Sequence, residues 1–590
     1  MSPPIHFFVP LLALVSSPVA TRQVLLGPAF ATPSNLAAVE LIQSTAASLV
    51  QSFEEALTQG TSSFGNFSGN ATSLSLTAAS TDDAGPFFDF HFSSPQLNTS
   101  AGSLSEVTAD SIYRIGSISK LFTVYGLLLD YGIENWDRPV TDFIPELRVA
   151  ESSSNATAVN QVQWDKVTID SLASQLSGIG RDYNNADLAS QPFPWDEAGL
   201  PILPPEDIPT CAGKESLPPC DRDEYYRGLI KRHPVFAPYT TPTYSNAGFR
   251  ILGNVLEAVT KKSFATAMSQ SVFQPLGLNH TSATTPQDKG VGVIPAGDSG
   301  WSQALGDEVP TGGIFSSSRD LVEFGRAILG NKQLSSLETR RWMKPHSHTS
   351  SLSASVGAPW EIYRTRSNIT SGRVIDLYTK SGSVGQYGSL LILIPDFQVS
   401  ISILAAGPDA NHLITTAAEM VLQAFVPVLE QVSRDQACRV FCGKYHGPAN
   451  SSLALSVDDG PGLLVSDWIS SGVDIKASGQ AYSDATSGGQ IRSIRLYPTG
   501  LRSQTGAASG STARTLVSYR ALFEVVDPDA DPDVPRIFDP NAGQWSEVDN
   551  LVYGTVAVDD FLFHLDQHGN TVAVEPRVVR QVLRKASCPT

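Results

Sequence analysis

The sequence predicts a mixed α/β (α+β) domain, with helices flanking a central antiparallel sheet, followed by an all-β domain. At 590 residues the chain is too long for one ordinary core. Helical periodicity and strand-like alternation are mixed up to about residue 430, whereas later runs are short, alternating and separated by Gly, Asp and Ser. We therefore expect a first domain at 108–432 and an all-β barrel or sandwich at 440–590.

Residues 1–20 hold an apolar stretch bounded by small residues, as in a secretory signal with cleavage near Ala20, although no Lys or Arg stands at its start. A buried N-terminal strand is the alternative. Acceptor sequences for N-glycosylation agree with export and predict a secreted protein. These Asn-x-Ser/Thr sequences begin at Asn66, Asn70, Asn98, Asn155, Asn279, Asn368 and Asn450.

Residues 21–107 are expected to lead from the signal into the first domain. The stretch PSNLAAVELIQSTAASLVQSFEEAL has helical periodicity, and PFFDFHFSS alternates like a strand. The segment between them is rich in Ser, Thr and Asn, and we interpret it as a glycosylatable loop.

The stretch SIYRIGSISKLFTVYGLLLDYG predicts a strand and a turn, followed by a helix that begins at Ser117 and ends at Gly132. Residues three apart share a helix face, so Ser117 and Lys120 can touch. Apolar surroundings disfavour a charged lysine and make its amine a proton acceptor, while free N–H groups at the helix start stabilise negative charge. The pair suits a serine nucleophile. The alternative is an N-capping serine with a lysine that reaches solvent.

Two later stretches contain further side chains that could take part in the same kind of reaction. PTYSNAGFRILGNVLEAV sets Tyr244 and Asn246 in a turn before an amphipathic helix, so that both side chains point the same way. LYTKSGSVGQYGSLLILIPDFQVSISILAAG sets Lys380, Ser381 and Gly382 at the end of a short strand, before two long apolar strands that predict a hairpin. Taken singly, these residues could be a core aromatic, a turn former and a surface lysine.

In this order, Ser-x-x-Lys, Tyr-x-Asn and Lys-Ser-Gly resemble motifs of the serine β-lactamase and penicillin-binding-protein superfamily, in particular its class C β-lactamase, esterase and D-aminopeptidase branch. NWDRPVTDFIPEL, VTIDSLASQLSGIG and TGGIFSSSRDLVEFGRAIL extend the resemblance over about 108–408. The chain departs from the family where Ser381 replaces a threonine, where Gln175 stands in place of a frequent histidine, and where the loop after Gly180 is expanded.

The resemblance implies that Ser117 attacks a carbonyl, with Lys120 and Tyr244 moving its proton to the leaving group. It also implies a supporting charge on Lys380 and an oxyanion hole made by the N–H of Ser117 and one near Ser383. The residues implied to contact substrate are Asn246, Lys380, Ser381, Gly382 and Ser383.

Five cysteines suit an oxidising compartment and leave one unpaired or bonded to a partner. Cys211 and Cys220 bracket a Pro-rich stretch, and we expect a local disulfide between them. Cys438 or Cys442 could bond to Cys588, and free buried thiols are the alternative.

The sequence argues against several classes of partner, cofactor and fold. A net charge of −18 argues against nucleic acid and anionic membranes as partners, and no later apolar run reaches the length of a membrane span. His346 and His348 are predicted in a loop without zinc-ligand spacing, so no metal site is expected. Gly-rich phosphate loops and Gly-x-Ser-x-Gly are missing, which argues against a nucleotide cofactor and an α/β-hydrolase.

Residues 181–243 are expected to form a long ordered loop or lid.

The chain also resembles exported fungal β-lactamase-like proteins with a β-rich C-terminal extension. This resemblance favours hydrolysis of an ester or amide in a small molecule or short peptide. One alternative is biosynthetic acyl transfer or cyclisation, as in related fungal acyltransferases. Another is a catalytically silent binding protein in which the C-terminal domain recognises the ligand. The oligomeric state is left open.

Overall fold

The computed structural model describes residues 24–67, 69–148, 157–183, 187–211, 217–367, 372–478, 490–505, 514–526 and 544–586. These residues form two compact units. One comprises Thr32–Thr365 and Ile375–Val432, and the other comprises Ser433–Thr590, Arg366–Val374 and the stretch that ends at Ala31. The helices are α1 Glu40–Gln59, α2 Ser119–Tyr131, α3 Pro145–Arg148, α4 Ile169–Ala173, α5 Arg222–Leu229, α6 Asn246–Thr260, α7 Phe264–Met268, α8 Gln274–Leu276, α9 Val309–Gly312, α10 Ser318–Leu329, α11 Ser336–Trp342 and α12 Ala410–Phe441.

The unit that begins at Thr32 is built on an eight-stranded sheet with the order β4-β3-β12-β11-β10-β9-β8-β7. Its strands from β4 to β10 pair antiparallel, as predicted. Two short pairs, β1–β2 and β5–β6, lie outside this sheet. The strands are β1 Thr61–Ser62, β2 Gly65–Asn66, β3 Ser73–Ser80, β4 Phe88–Phe92, β5 Ile112–Arg114, β6 Phe315–Ser317, β7 Ser347–His348, β8 Ala354–Val356, β9 Glu361–Arg366, β10 Val374–Val384, β11 Tyr387–Ile394 and β12 Val399–Ala406.

Helices cover both faces of this sheet, because strand residues alternate between them. Ile401 and Ile403 of β12 join a core with Phe53 of α1 and apolar residues of α12. On the opposite face α10 approaches so closely that a Cβ on its Gly325 would lie 2.1 Å from Ser400 Oγ. The small residues of β12 therefore permit close helix packing on that face.

Strand β3 corrects the expectation of a loop between the first helix and the next strand. All its residues are buried, since it lies in the sheet between β4 and β12. Leu76 packs in the core beneath α1, while Thr77 hydrogen-bonds Ser318 at the start of α10. The small polar residues that suggested a loop are those that fit beneath α10.

The first ten residues of helix α2 are buried on every side because other helices enclose the helix. Every residue from Ser119 to Leu128 is buried. Phe122 stacks on Phe324 of α10 with ring centroids 4.0 Å apart. The helix ends at Gly132 as predicted, but it begins at Ser119, since Gly116–Ile118 forms a preceding 3₁₀ turn.

The segment 181–243 is only partly the predicted loop. It contains α5, which Asp221 caps by accepting a hydrogen bond from Glu224 N, while the Glu224 carboxylate accepts one from Asp221 N. The interpretation as continuous loop was wrong because this capping box follows directly on a run of prolines.

The disulfide expectations have mixed outcomes. Cys211 and Cys220 are bonded as predicted. Cys438 is bonded to Cys442, so the proposed bond from either of them to Cys588 was wrong. One helical turn at the end of α12 brings the two thiols together, with Cα atoms 4.6 Å apart. Cys588 lies outside the described residues.

The C-terminal unit contains an antiparallel barrel of eight strands. Strands β13, β14, β15, β17, β18, β21, β22 and β23 follow one another around it, and the pairing of β14 with β15 completes the ring. Tyr445, Trp468 and Phe563 are among the side chains that fill its core. The strands are β13 Gly443–Gly447, β14 Ser451–Ser456, β15 Leu463–Ser470, β16 Val473–Asp474, β17 Gln490–Gln504, β18 Thr515–Val526, β19 Val552–Tyr553, β20 Val556–Ala557, β21 Asp560–Leu565, β22 Thr571–Pro576 and β23 Leu583–Lys585.

One described helix, α12, is long and apolar enough to cross a membrane by length and composition, contrary to the sequence expectation. More than half of its most apolar window is buried inside the protein. Val421 and Phe425 of this helix lie in the core beneath the sheet. This burial is typical of a core helix.

The glycosylation acceptors among the described residues are mostly accessible to solvent. Asn98 is half-buried and caps a short turn by accepting a hydrogen bond from Ala101 N. The signal at 1–20 and the acceptors Asn155 and Asn368 lie outside the described residues. Glycosylation and secretion stay predictions. The exposed acceptors are Asn66, Asn70, Asn279 and Asn450.

Candidate active site

Ser117 lies in the 3₁₀ turn between β5 and α2, close to the edge of β10. Gly116 has a positive φ of 48°. A Cβ at this position would lie 2.5 Å from Ser383 N, so the turn tolerates only glycine there. The close approach sets Ser117 between the start of α2 and strand β10.

Lys120 is fully buried, and its amine contacts three oxygen atoms. Lys120 Nζ lies 3.0 Å from Ser117 Oγ, 2.8 Å from Asn246 Oδ1 and 2.7 Å from Thr311 O. The last two oxygens can only accept hydrogen bonds, whereas a hydroxyl can also donate one. A neutral amine that donates its two hydrogens to Asn246 and Thr311 therefore directs its lone pair at Ser117.

Burial makes the neutral amine accessible. Desolvation, assisted by the charge of Lys380, lowers the pKa of Lys120 to about 8, although nearby Tyr244 opposes this change. About a tenth of Lys120 is thus unprotonated at pH 7. The amine is suited to accept the proton of Ser117.

Tyr244 completes the group around the serine. Its hydroxyl lies 2.7 Å from Ser117 Oγ. The Nζ atoms of Lys120 and Lys380 lie 5.0 and 5.4 Å from the centre of its ring, and Arg181 Cζ lies 4.8 Å from it. Burial opposes ionisation of the phenol, but the charges of Lys380 and Lys120 outweigh burial and lower the pKa of Tyr244.

Gln175 holds the turn that presents Tyr244. Its side-chain oxygen accepts a hydrogen bond from Ser245 N at 2.7 Å, and its carbonyl oxygen accepts one from Thr243 N at 2.8 Å. Ser245 then caps α6 by accepting a hydrogen bond from Gly248 N. The buried glutamine thus fixes the backbone on both sides of Tyr244.

Strand β10 supplies Lys380 and Ser381, but neither side chain is free. The ammonium of Lys380 is bonded to the carboxylate of Glu361 on neighbouring β9. Glu361 Oε2 also accepts hydrogen bonds of 2.9 Å from both the N–H and the hydroxyl of Ser381. Burial raises the pKa of Glu361, but the charge of Lys380 and these hydrogen bonds outweigh burial and lower it. The lysine of the third motif is therefore held in an internal ion pair. The motif lies within an eleven-residue strand and not at the end of a short one, as the sequence had predicted.

Gly382 allows β10 to pass directly beside the nucleophile. A Cβ at this position would lie 2.1 Å from Ile115 O and 2.7 Å from Ser117 N. Ser383 is exposed, and its hydroxyl accepts a hydrogen bond from Asn411 at 2.8 Å. The backbone N atoms of Ser117 and Ser383 thus both lie at this close approach between the turn and β10.

The structure brings together all the residues singled out from the three motifs. The sequence reasoning missed Glu361, Thr311 and Arg181, and it treated Gln175 only as a departure from the family. Glu361 follows a tryptophan in a strand-like run, but only the register between β9 and β10 reveals its partner. Thr311 contacts Lys120 through its backbone oxygen. Every residue type has this atom, so the sequence gives no indication of the contact.

The predicted histidine loop is in part a strand. His348 lies in β7, because Ser347–His348 pairs with β8 in a short hairpin, so the expectation of a loop was wrong for this residue. His346 precedes the strand and lies in a loop, as predicted. His346 Nε2 lies 3.0 Å from Asp170 Oδ1 of α4. No group of three or more His, Cys, Asp or Glu side chains suited to a metal occurs within the described ranges.

A second serine lies near a histidine and an aspartate, far from the motifs. Ser75 Oγ is 2.7 Å from His91 Nδ1, and His91 Nε2 is 3.0 Å from Asp89 Oδ1. Ser75 is fully buried within the sheet and no substrate can reach it. The grouping is therefore a cross-strand contact between β3 and β4.

Comparisons with known proteins identify the family of this chain. A family model described as Beta-lactamase matches residues 78–424, and one described as "Beta-lactamase-like-like, C-terminal domain" matches residues 433–587. A beta-lactamase-like protein from Arthroderma benhamiae is 28% identical over 92% of this chain and 92% of its own. A probable hydrolase from Phoma sp. is 28% identical over 75% of this chain and 73% of its own. The structure of a beta-lactamase/D-alanine carboxypeptidase from Pseudomonas syringae matches with a TM-score of 0.45 and 19% identity, covering 64% of this chain and 98% of that one.

Proposed function

Because the chain belongs to the beta-lactamase family, we propose that it is a serine hydrolase that forms an acyl-enzyme with an ester or amide of a small molecule or short peptide. The proposal rests on the position of Ser117 Oγ, which lies 3.0 Å from the amine nitrogen of Lys120 and 2.7 Å from the phenol oxygen of Tyr244. A nucleophile flanked by an acceptor and a donor of protons is the minimum that acyl transfer needs.

In the acylation step, Ser117 Oγ attacks the carbonyl carbon and passes its proton to neutral Lys120. The carbonyl oxygen gains negative charge, which the N–H groups of Ser117 and Ser383 stabilise. The bond to the leaving group then breaks, and the leaving atom takes the proton of Tyr244. The resulting phenolate is stabilised by the positive charges of Lys120 and Lys380.

Deacylation reverses these proton movements. Water attacks the acyl carbon and gives a proton to the phenolate of Tyr244. The bond from the acyl carbon to Ser117 breaks, and Ser117 recovers its proton from Lys120. Both bases return to their starting states, so the cycle needs no metal or cofactor.

We further propose that the protein is exported and glycosylated. The two disulfides suit an oxidising compartment, and four of the five described glycosylation acceptors are exposed. Expression in a eukaryotic host with and without an endoglycosidase, followed by intact-mass measurement and N-terminal sequencing, tests both points. A protein that stays inside the cell unmodified would contradict them.

The function is tested by intact-mass analysis after exposure to a fluorophosphonate, and separately to a neutral ester under rapid quench. We expect one adduct on the wild-type protein, mapped to the peptide that contains Ser117, and none on Ser117→Ala. Transfer of the acyl group to an added amine or alcohol in preference to water would indicate an acyltransferase instead. A folded protein that forms no adduct with either reagent would be a silent binding protein.

A further inference from the structure

We infer that Arg181 and Arg232 form an anion-binding subsite for the acyl half of the substrate, so that the protein prefers esters or amides whose acyl group has a carboxylate. The inference rests on the proposed function, because it concerns what lies beside Ser117 during acylation. It adds a substrate class to that function, namely half-esters and half-amides of dicarboxylic acids.

Arg181 lies beside the reacting group. Its Cζ atom is 4.8 Å from the centre of the Tyr244 ring, and the hydroxyl of that ring is 2.7 Å from Ser117 Oγ. The side chain of Arg181 is exposed, and no carboxylate among the described residues forms an ion pair with it. An exposed guanidinium can bind a carboxylate through two parallel hydrogen bonds. Arg181 is therefore available to a substrate anion within a short distance of the nucleophile.

A second guanidinium lies against the residue that precedes Arg181. A Cβ added to Gly180 would lie 3.3 Å from Arg232 Nη2 and 3.4 Å from Arg232 Nε, so the guanidinium of Arg232 covers this glycine. Arg232 is exposed, and in the described part of the chain it too forms no ion pair. Two arginine side chains thus lie beside one dipeptide, in a protein whose net charge is −18. An anion bound between them would reduce their mutual repulsion.

The acidic residues close to these arginines do not neutralise them. Asp182 follows Arg181 directly, but its side chain is buried, and its Oδ1 accepts a hydrogen bond from the hydroxyl of Tyr225 at 3.2 Å. Lys231, which precedes the second arginine, donates a hydrogen bond to the backbone oxygen of Glu206. Neither acid forms an ion pair with the two arginines, so the positive charge is available to a ligand.

Arg181 is fixed to the start of α6. Its backbone oxygen accepts hydrogen bonds from Asn246 N at 2.7 Å and from Ala247 N at 3.1 Å. The side-chain oxygen of Asn246 accepts a hydrogen bond from Lys120, which directs the amide nitrogen of Asn246 away from the lysine. That nitrogen has no hydrogen-bond partner within the described ranges. Asn246 and Arg181 therefore both offer hydrogen-bond donors on the same flank of the site.

The direction of proton transfer assigns the two halves of the substrate. The leaving atom must lie at the hydroxyl of Tyr244, which gives it a proton, and the leaving group is expected along β10, where Lys380 is the nearby cation. The two substituents of a carbonyl carbon point in different directions, so we place the acyl group on the other flank, beside Asn246 and Arg181. A carboxylate several bonds from the carbonyl carbon would reach the guanidinium there.

The test compares two 4-nitrophenyl esters of the same shape, with 4-carboxybenzoyl and 4-carbamoylbenzoyl as acyl groups. The acyl groups differ mainly by one negative charge, and each kcat/KM is divided by the spontaneous hydrolysis rate. We expect the wild-type protein to prefer the acidic ester by about tenfold at low salt and less at high salt. Arg181→Gln should remove most of this preference and Arg232→Gln part of it. Arg181→Lys should retain part of it because the charge remains.

Lys262→Gln is the matched control. Lys262 is exposed and follows the end of α6, a helix of 15 residues that begins at Asn246, so the change removes one positive charge about 22 Å from the site. This variant should retain the wild-type preference. A second pair of esters, the acetates of 3-hydroxybenzoic acid and 3-hydroxybenzamide, moves the charge to the leaving group. Arg181→Gln should change the preference within this second pair much less.

The outcomes separate the two proposals. An active enzyme with no preference for the acidic acyl group, or with the same preference in Arg181→Gln and in the wild type, overturns this inference alone. A larger effect of Arg181→Gln on the esters with the charged leaving group also overturns it, because the arginine would then contact the other half of the substrate. An inert Ser117 overturns the proposed function and this inference with it.

Discussion

The side-chain oxygen of Asn246 lies 2.8 Å from Lys120 Nζ and accepts one of its hydrogens. The backbone oxygen of Thr311 accepts another at 2.7 Å. These two contacts leave a neutral amine with its lone pair toward Ser117. Asn246, at the start of α6, thus sets the direction in which Lys120 can accept a proton.

The pH dependence of acylation should follow Lys120. The base must be unprotonated, and its pKa is about 8, so kcat/KM for a neutral ester should rise with pH up to about 8. At higher pH it should fall again, because the lowered pKa of Tyr244 lets the phenol lose the proton that the leaving group needs. Below the pKa of Lys120 the neutral fraction falls about tenfold per pH unit. A stopped-flow pH profile measures this, and a flat profile between pH 6 and 9 would contradict the assignment of Lys120 as the base.

Asn246→Asp should move that profile to higher pH. A carboxylate beside Lys120 favours its charged form and raises the pKa of the lysine, so activity should fall more at pH 7 than at pH 9. Asn246→Ala is the comparison, since it removes the acceptor without adding charge and should lower the rate at every pH. Identical profiles for the two variants would show that Asn246 does not act through Lys120.

Tyr244→Phe should reduce kcat by about a hundredfold or more and leave the protein folded. The change removes only the hydroxyl that lies 2.7 Å from Ser117 Oγ, and proton transfer of this kind contributes about 10²–10⁴-fold. The loss should be larger for an alkyl ester than for a nitrophenyl ester, because a nitrophenolate leaves without a proton. Equal losses for both esters would argue against a role of Tyr244 in protonating the leaving group.

Gln175→Ala should lower kcat more than it raises KM, because the turn that presents Tyr244 loses its hydrogen bond to Ser245 N. Gln175→Glu retains an acceptor and should recover part of the rate. The control is Gln333→Ala, which removes a partly buried side-chain hydrogen bond to Ser271 O elsewhere. A similar loss of kcat in the control would mean that the effect is general destabilisation.

Lys120→Met should stabilise the protein at neutral pH while abolishing activity. The pKa of Lys120 is about 8 when folded and 10.5 ordinarily, so the unfolded chain binds more protons between these values and stability rises with pH there. Below that window the buried lysine costs about 3 kcal/mol, offset in part by its hydrogen bonds. Thermal unfolding at pH 7 and pH 10 should show a gain for Lys120→Met that shrinks at the higher pH. The exposed Lys166→Met should show none.

Much of the site follows from short stretches of sequence. Ser117 and Lys120 are three residues apart next to a helix start, and helical geometry alone brings them together. Tyr244 and Asn246 flank the residue that caps α6, so their common direction is also local. The long apolar runs of β11 and β12 likewise predict a buried hairpin, because successive strand residues face opposite sides of a sheet and both sides are apolar here.

The sequence by itself determined the first two motifs and their local structures, since each depends on contacts between residues close in the chain, and through the resemblance it predicted the class of chemistry that we propose. The tertiary structure decided that the motifs meet, that β3 joins the sheet, and that Gln175 and Thr311 hydrogen-bond the turn of Tyr244 and the amine of Lys120. It alone decided that Glu361 pairs with Lys380. That pairing joins two strands, and the strand register that creates it is set by packing over the whole sheet and not by the residues near either partner.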